Sequence, residues 1–327
     1  MKKEKISKVV LLSALILALT LFSQLANSAE KGYPSREIEL VVPFAAGGMV
    51  DVASRAISDE LSKALGAPIV IVNKGGAGGT IGAQYVTQAK PDGYTIMGGP
   101  HSLFVLVPSM MKNLPYKATD FTPIARIVTS PFVFCFRKDS PFKTFAEVIA
   151  YAKKNPGKLS CGTSGVATGS HFMLEMLKLA AGIEIQHVPF KGGSEVIAAT
   201  IGGHVDINST TVNPIYPMVK SGDLRILATA DRLTEFPKVP TMAELGYPDA
   251  ALGSWVGYVG PKGLDKAVVD KLASALEKAI KVPKIVKNLV DTGNQVQYVA
   301  KEAFGQDIEK DLKKMAAIVK KANIAVK

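Results

Sequence analysis

Apolar and polar positions follow two periods along this chain. Ile38–Val42 (IELVV) is a short apolar run closed by Pro43 and reads as a buried strand. Beyond it, apolar residues fall at 50, 53, 57, 61 and 65, a helical stripe stopped by Gly66. The segment 68–72 (PIVIV) reads as a second strand, 80–89 as a helix and 94–97 as a third strand. A second series opens at 132–136 (FVFCF), with a helix at 144–154, a strand at 158–161 and a helix at Gly169–Ala181. Strands near 184–187, 205–207 and 224–228 follow with helices between, and the tail is helical at 266–280 and 301–321. Strands alternating with helices of about 10–15 residues predict an α/β fold with mostly parallel sheets. Two such series predict two lobes. The expected division is a first lobe over 30–128, an inserted second lobe over 129–232 and the remainder of the first lobe over 233–327. Crossing segments near 127–130 and 230–235 would form the hinge.

The N-terminus departs from this alternation. Lys2, Lys3, Lys5 and Lys8 precede an apolar run of 14 residues at 9–22, and the small residues Ala26, Ser28 and Ala29 follow. That is the pattern of a secretory signal peptide. The run is shorter than the roughly 20 residues a membrane span requires. The expectation is a leader over 1–29, cleaved after Ser28 or Ala29, and a periplasmic mature chain. An uncleaved anchor is the alternative. Export would permit a disulfide between Cys135 and Cys161, the only cysteines, with two buried free thiols as the other reading.

Composition narrows the class. With 47% hydrophobic and 20% charged residues among 327, the chain can bury a core, which excludes global disorder. The single long apolar run excludes a polytopic transporter. The net charge of +11 first suggests nucleic acid. Three of those units belong to the leader, and the remaining Lys and Arg cluster only as pairs such as Lys153-Lys154, Lys313-Lys314 and Lys320-Lys321. This suits solubility and weak steering of anions, not a nucleic-acid footprint.

Candidate chemistry sits in loops that leave strands and open helices. Pro43-Phe44-Ala45-Ala46-Gly47-Gly48, with Asp51, follows the first strand. Glycines let a ligand approach the backbone, and the helix start offers N–H donors to a carboxylate or phosphate. Asp51 and Arg55, four apart, either pair or brace this loop. Asn73-Lys74-Gly75-Gly76-Ala77-Gly78-Gly79-Thr80 is a second backbone-lined turn and matches neither nucleotide-loop pattern. Cys161-Gly162-Thr163-Ser164-Gly165, running to Thr168-Gly169-Ser170-His171, converges hydroxyls and N–H groups on one helix start. Pro189-Phe190-Lys191-Gly192-Gly193-Ser194 supplies Lys191, which would neutralise an acidic ligand or pair on the surface. His101, His171, His187 and His204 are scattered without metal-ligand spacing, so no metal and no cofactor is expected. His101 and His171 follow strand ends and could line a cleft, whereas His187 and His204 read as structural. Trp255 reads as core. No nucleophile, base and acid converge, so binding without catalysis is the economical reading.

Taken together, Ile38-Glu39-Leu40-Val41-Val42-Pro43-Phe44 with Gly47-Gly48 and Asp51, Asn73…Gly76-Ala77-Gly78-Gly79 and Pro91-Asp92-Gly93-Tyr94 resemble the tripartite tricarboxylate transporter substrate-binding proteins, the Bug family. Phe190-Lys191-Gly192-Gly193, Gly202-Gly203-His204-Val205-Asp206, Ser221-Gly222-Asp223-Leu224-Arg225, Pro240-Thr241 with Glu244 and Gly246, and Trp255-Val256-Gly257 extend the likeness over about 33–262. The resemblance implies a two-lobed, Venus-flytrap periplasmic binding protein, type II-like. It would be a monomer that captures a small carboxylate and delivers it to membrane permease subunits. By the same resemblance the ligand is held by the loop of Phe44, Ala45, Ala46, Gly47 and Gly48 with Ser102 from one lobe, and by Thr163, Ser164, Gly165, Ser170 and Asp206 from the other. Gly78 and His101 on the first side, and His171, Lys191 and Gly192 on the second, join them as candidates from their own loops. The apolar stretch 101–107 (HSLFVLV) suggests a ligand with an apolar or aromatic distal part. A sensor component and an exported hydrolase are the rival readings.

Overall fold

The computed structural model describes residues 32–44, 46, 49–111, 113–166, 168–190 and 192–321. The expected leader and its cleavage point lie outside the described residues, as do Ala45, Gly47, Gly48 and Lys191. Among the described residues no helix is long and apolar enough to cross a membrane.

The described residues form ten strands: β1 (Ile38–Val42), β2 (Ile69–Asn73), β3 (Thr95–Pro100), β4 (Phe121–Arg137), β5 (Ser160–Thr163), β6 (Gln186–Pro189), β7 (Ile207–Thr211), β8 (Leu224–Thr229), β9 (Gly253–Pro261) and β10 (Gln295–Ala300). The helices are α1 (Met49–Leu65), α2 (Thr80–Thr87), α3 (Val107–Met110), α4 (Phe145–Lys154), α5 (Gly169–Ala181), α6 (Gly193–Ile201), α7 (Val212–Ser221), α8 (Lys266–Ala279), α9 (Pro283–Asp291) and α10 (Lys301–Lys321). Local chemistry explains several boundaries. Thr144 and Glu147 form a capping box ahead of α4, and Asp265 caps α8 through the Ala267 N–H. Gly182 and Gly222 take left-handed conformations where α5 and α7 end.

β4 organises the molecule. Its 17 residues span roughly 55 Å at about 3.3 Å per residue. Its first half pairs antiparallel with β9 on one edge and β10 on the other. Its second half pairs antiparallel with β8 on the β9 edge and β7 on the β10 edge, since Phe132 donates its N–H to the Leu252 carbonyl just before β9 and its carbonyl accepts from the Ala230 N–H just after β8. Beyond β9 lie β3, β1 and β2, with β1 parallel to both neighbours. Beyond β7 lie the parallel strands β5 and β6. Two fans of mixed sheet therefore extend from opposite edges of one strand, giving the expected two-lobed α/β architecture.

The switch falls where Pro131 pairs with Gly253 and Phe132 with Thr211. Pro131 donates no backbone hydrogen bond, which suits a point where a strand changes partners. The first crossing is thus continuous strand. The chain re-enters the first sheet at Gly253, beyond the expected 230–235, because the segment after β8 stays beside it through the Thr229–Thr241 bridge.

One apolar cluster is shared by the two fans, joining Val41, Met97 and Trp255 to Phe134 and Phe172, and others lie within a single fan. Ile38, Leu40, Ile57, Leu61 and Tyr258 are buried in the first fan, and Val133, Cys135, Ile197 and Ile215 cover one face of the second. Cys161 lies on the other face with Phe134 and Phe172. The two cysteines are free and buried, one on each side of the sheet, so the disulfide does not form. Burial also pushes both thiols above their ordinary pKa. A thiol reagent is therefore expected to modify neither cysteine in the native protein and both after denaturation. One fast native equivalent would contradict this burial.

Candidate functional site

Register places the carboxyl ends of β1 and β3 opposite those of β5 and β7. Pro100, the last residue of β3, pairs with Val256, and Thr211, the last of β7, pairs with Phe132. Between them lies only the middle of β4. Open α/β sheets bind ligands at such strand ends.

On the first side, Phe44 is held through its carbonyl, which accepts from Asn73 Nδ2 at 3.1 Å. The same Nδ2 donates to Asp51 Oδ1 at 2.9 Å, and Arg55 donates to Asp51 Oδ2 (2.9 Å) and Asn73 Oδ1 (3.0 Å). Asp51 thus both pairs with Arg55 and braces the loop. Its carboxylate is buried while Arg55 is half exposed, so the group acts chiefly by fixing geometry. The Phe44 ring leaves no room for a side chain at Gly79, whose Cβ would lie 2.9 Å from it. Gly79 also has φ near 93°, and Gly78 before it has φ near 67°. Ala46 is exposed and Ser102 half-buried at the start of a π-helical turn, Ser102–Leu106, that leads into α3. His101 is 2% exposed, with its ring edge-on to Trp255 and Nε2 3.3 Å from Asp311. Trp255 is core, stacked on Phe104 and edge-on to Phe304.

On the second side, hydroxyls form a connected group. Ser170 Oγ accepts from the Ser164 N–H at 3.0 Å and contacts Ser164 Oγ at 2.9 Å and Thr168 Oγ1 at 2.8 Å. Thr168 also caps α5 by accepting from the His171 N–H, and donates to the Gly165 carbonyl. Ser209 donates to the Ser170 carbonyl and ties the helix start to β7. Phe132 lies against Gly169, where a Cβ would come within 2.3 Å of the ring. Ser164 and Gly165 are half-buried at the surface of this group, whereas Thr163 and Ser170 are almost fully covered. Gly192, half-buried and extended, precedes α6 on the same side.

Beneath the hydroxyls lie two imidazoles. His187 Nε2 is 2.6 Å from Thr163 Oγ1, and its ring stacks on His171 with centroids 4.0 Å apart. Glu175 Oε1 lies 3.8 Å from His171 Nε2 and 3.0 Å from Lys178 Nζ. Burial, with Lys178 adding to it, lowers His171 to about 4. Burial, His171 and Lys178 lower His187 to about 4, against the opposing pull of Glu175. Both rings are neutral in the folded state near pH 7. In the unfolded chain each titrates at its ordinary value of about 6.5, so unfolding takes up protons as pH falls from there toward 4. Thermal stability is expected to fall across that window. The His171→Gln/His187→Gln double variant should flatten the profile; an unchanged slope would refute the assignment.

Asp206 is the expected residue that the fold carries away from the others. It sits at the opposite end of β5 and β7, where its carboxylate accepts from Ser160 N and Ser160 Oγ, both at 2.8 Å. The contributions of Asn73, Ser209 and Phe132 were not foreseen. Asn73 carried a signal, as the polar end of a strand beside Asp51. The other two owe their positions to strand pairing.

Among the described residues no cluster of His, Cys, Asp or Glu could hold a metal ion. The two sides offer backbone N–H groups, hydroxyls and the start of α5, all neutral hydrogen-bonding groups suited to an anion.

Two α/β fans on one crossing strand, with donor-lined loops at facing strand ends, define a two-lobed solute-binding protein of the periplasmic class. Residues 53–324 match the TctC family, described as the tripartite tricarboxylate transporter family receptor, and the chain belongs to it. A UPF0065 protein from Cupriavidus necator is 36% identical over 318 residues, covering 96% of each chain. The crystal structure of a TctC solute binding protein from Polaromonas superposes with TM-score 0.80 at 31% identity, covering 88% of this chain and 99% of that one. MatC from Rhodopseudomonas palustris, solved with bound malate, gives TM-score 0.72 at 29% identity, covering 88% of this chain and all of that one.

Proposed function

We infer that the mature protein captures a small carboxylate between its lobes in the periplasm and passes it to the membrane subunits of a tripartite transporter. The observation that carries this reading is the hydroxyl group around Ser170 facing the braced Phe44 loop across the middle of β4. The malate bound by MatC supports the ligand class. One lobe comprises the strands hung on β9, the other those hung on β7, and β4 bends between them near Pro131. Phe44, Ala46, Gly78 and Ser102 serve from the first lobe, with Ala45, Gly47 and Gly48 completing the loop. Ser164, Gly165 and Gly192 serve from the second with Lys191, while Thr163, Ser170 and the imidazoles hold that surface in shape.

A hydrogen bond to a charged group contributes about 1.5–3 kcal/mol. Contacts to both lobes exist together only in the closed form, so the ligand shifts the hinge equilibrium toward it. The protein acts alone as a monomer and performs no chemistry. Leader removal after Ser28 or Ala29 frees it from the inner membrane. Calorimetry with succinate, malate, adipate, citrate and benzoate, paired with solution scattering, tests this. One acid should bind and reduce the radius of gyration. Binding without compaction would defeat the clamp, and no binding by any acid would defeat the ligand class.

A further inference from the structure

The last helix carries a charge pattern unlike that of its neighbours. At 3.6 residues per turn, positions 310, 313, 314, 317, 320 and 321 of α10 fall within about 120° of one another, on the face away from the buried Ile308 and Met315. Five of the six are lysines, all exposed except the half-buried Lys314. Among the described residues none of these lysines forms an ion pair, whereas Lys266 meets Asp270, Lys281 meets Glu277 and Lys287 meets Asp291, each four residues away. The acids of the same stretch of α10 lie off the stripe. Asp307 is turned to Arg126 and Asp311 to His101, and Glu309 stands at its border. Lys320 and Lys321 complement the C-terminal end of the helix, an effect confined to the last turn. Lys310, Lys313 and Lys314 lie earlier, three and four apart, where like charges repel.

A groove of about 290 Å³ runs beside this stripe. Lys314, Ile318 and Lys321 line it from α10, and Met176, Leu179 and Ala180 line it from α5. α10 follows β10 of the first fan and α5 follows β5 of the second, so the groove is built from both. Leu179 is 46% exposed, a large apolar side chain left uncovered next to lysines. Lys314 Nζ donates to the Ala251 carbonyl at 3.1 Å. Burial lowers its pKa and Lys310 adds to this, while Asp311 and Asp249 oppose it. Asp249 is the acid that lines the groove among the described residues, so cations outnumber acids there.

We propose that the groove and the lysine stripe dock an extended acidic segment of a protein partner. One large apolar side chain of the segment enters between Leu179 and Ile318, and carboxylates on either side of it meet the lysines. The stripe is about 16 Å long at 1.5 Å per residue, which an extended chain covers in about five residues at 3.3 Å each. The recess selects the kind of partner. A membrane surface takes up apolar side chains that stand out from a helix. Here Met176 is 2% exposed and Ile318 half-buried, so the apolar surface receives a side chain instead of offering one.

Titration with the capped peptide Glu-Glu-Leu-Glu-Glu, followed by calorimetry and amide NMR shifts, tests the surface. The peptide should bind one to one, with shifts centred on 176–180 and 310–321. Salt at about 1 M, where the screening length is about 3 Å, should weaken binding at least tenfold. Glu-Glu-Gly-Glu-Glu should bind about tenfold more weakly, and Lys-Lys-Leu-Lys-Lys should not bind. The Lys310→Glu/Lys313→Glu/Lys320→Glu variant alters only exposed positions and should abolish binding while the protein stays folded. Leu179→Asp should do the same from the α5 side. Lys153→Glu/Lys154→Glu/Lys158→Glu makes an equal charge change on exposed positions elsewhere and should keep full affinity. Absence of saturable binding, equal binding of the lysine peptide, or full binding by the α10 triple variant would overturn the docking surface. Shifts centred on 164–170 would place the peptide in the front cleft and overturn it too. Sedimentation of the wild-type protein with phosphatidylglycerol vesicles, lost in the triple variant and not displaced by the peptide, would assign the stripe to a membrane in place of a protein.

Discussion

Gly82→Ala is expected to weaken ligand capture at least tenfold while leaving a folded protein. A Cβ at this position would lie 2.8 Å from the Lys74 carbonyl oxygen and 2.8 and 2.9 Å from Pro43 Cβ and Cα. Two of these atoms are backbone and the third belongs to a fixed ring, so none can rotate away. Alanine would favour α2 by about 1 kcal/mol through helix propensity. Overpacking costs about 1–3 kcal/mol, and here it wins because the strain has no side chain to absorb it. The strain falls on Pro43, which leads directly into Phe44 and the loop after β1. The melting temperature should drop by a few degrees, and the best acid of the panel should lose at least tenfold in affinity. Gly66→Ala is the control. Gly66 has φ near 73° but nothing within 4 Å of its Cβ position, so it should lose stability without losing affinity. Wild-type binding by Gly82→Ala would show that the loop does not hold the ligand.

Ser170→Ala should produce the second large loss. Its hydroxyl gathers the Ser164 N–H and the hydroxyls of Ser164 and Thr168 at 1% exposure. Removing it strands the Ser164 N–H, at about 1–3 kcal/mol, and frees the 163–168 turn from the start of α5. Each 1.4 kcal/mol is about tenfold in affinity, so the dissociation constant of the same acid should rise roughly 10–100-fold. Ser164→Ala, at the half-buried face, should weaken binding without lowering the melting temperature. If Ser170→Ala lowered stability alone, the hydroxyl group would be only a structural cap.

Much of both fans was legible because their strands are buried runs. Ile38–Val42 reads as a strand from composition alone, and the stripe ending at Leu65 has an unbroken period. The first half of β4, β9 and β10 were hidden. In β4, Pro123 and Pro131 read as breakers, and register shifts between Pro123 and Ala125, and between Arg126 and Val128, disturb the alternation. In β9, Gly257 and Gly260 dilute the strand signal. Both glycines are required by packing, since Cβ atoms there would lie 2.2 Å from the Phe304 ring and 2.3 Å from Leu264 Cδ1. β10 has no fully buried position, and its register shifts between Val296 and Val299. These are the strands that join the fans, so their chemistry answers to partners far away in the chain.

The site divides in the same way. The order Ser164, Thr168, Ser170 around one helix start is local, and local geometry makes hydroxyls at a helix N-terminus converge. Asp206 was expected among the ligand groups only through the family resemblance, yet β5 and β7 carry it to their far end. His101 and His171 follow strand ends, and both are buried. The sequence by itself determined the α/β alternation, the donor-rich loops and the family, because these rest on short-range periodicity and on motifs of fixed spacing. Only the tertiary structure decided that the cysteines stay apart, which hydroxyls are open and where the chain returns across the hinge. Those outcomes depend on which edge of β4 each strand takes, and that is set by packing between segments more than a hundred residues apart, such as Pro131 and Gly253.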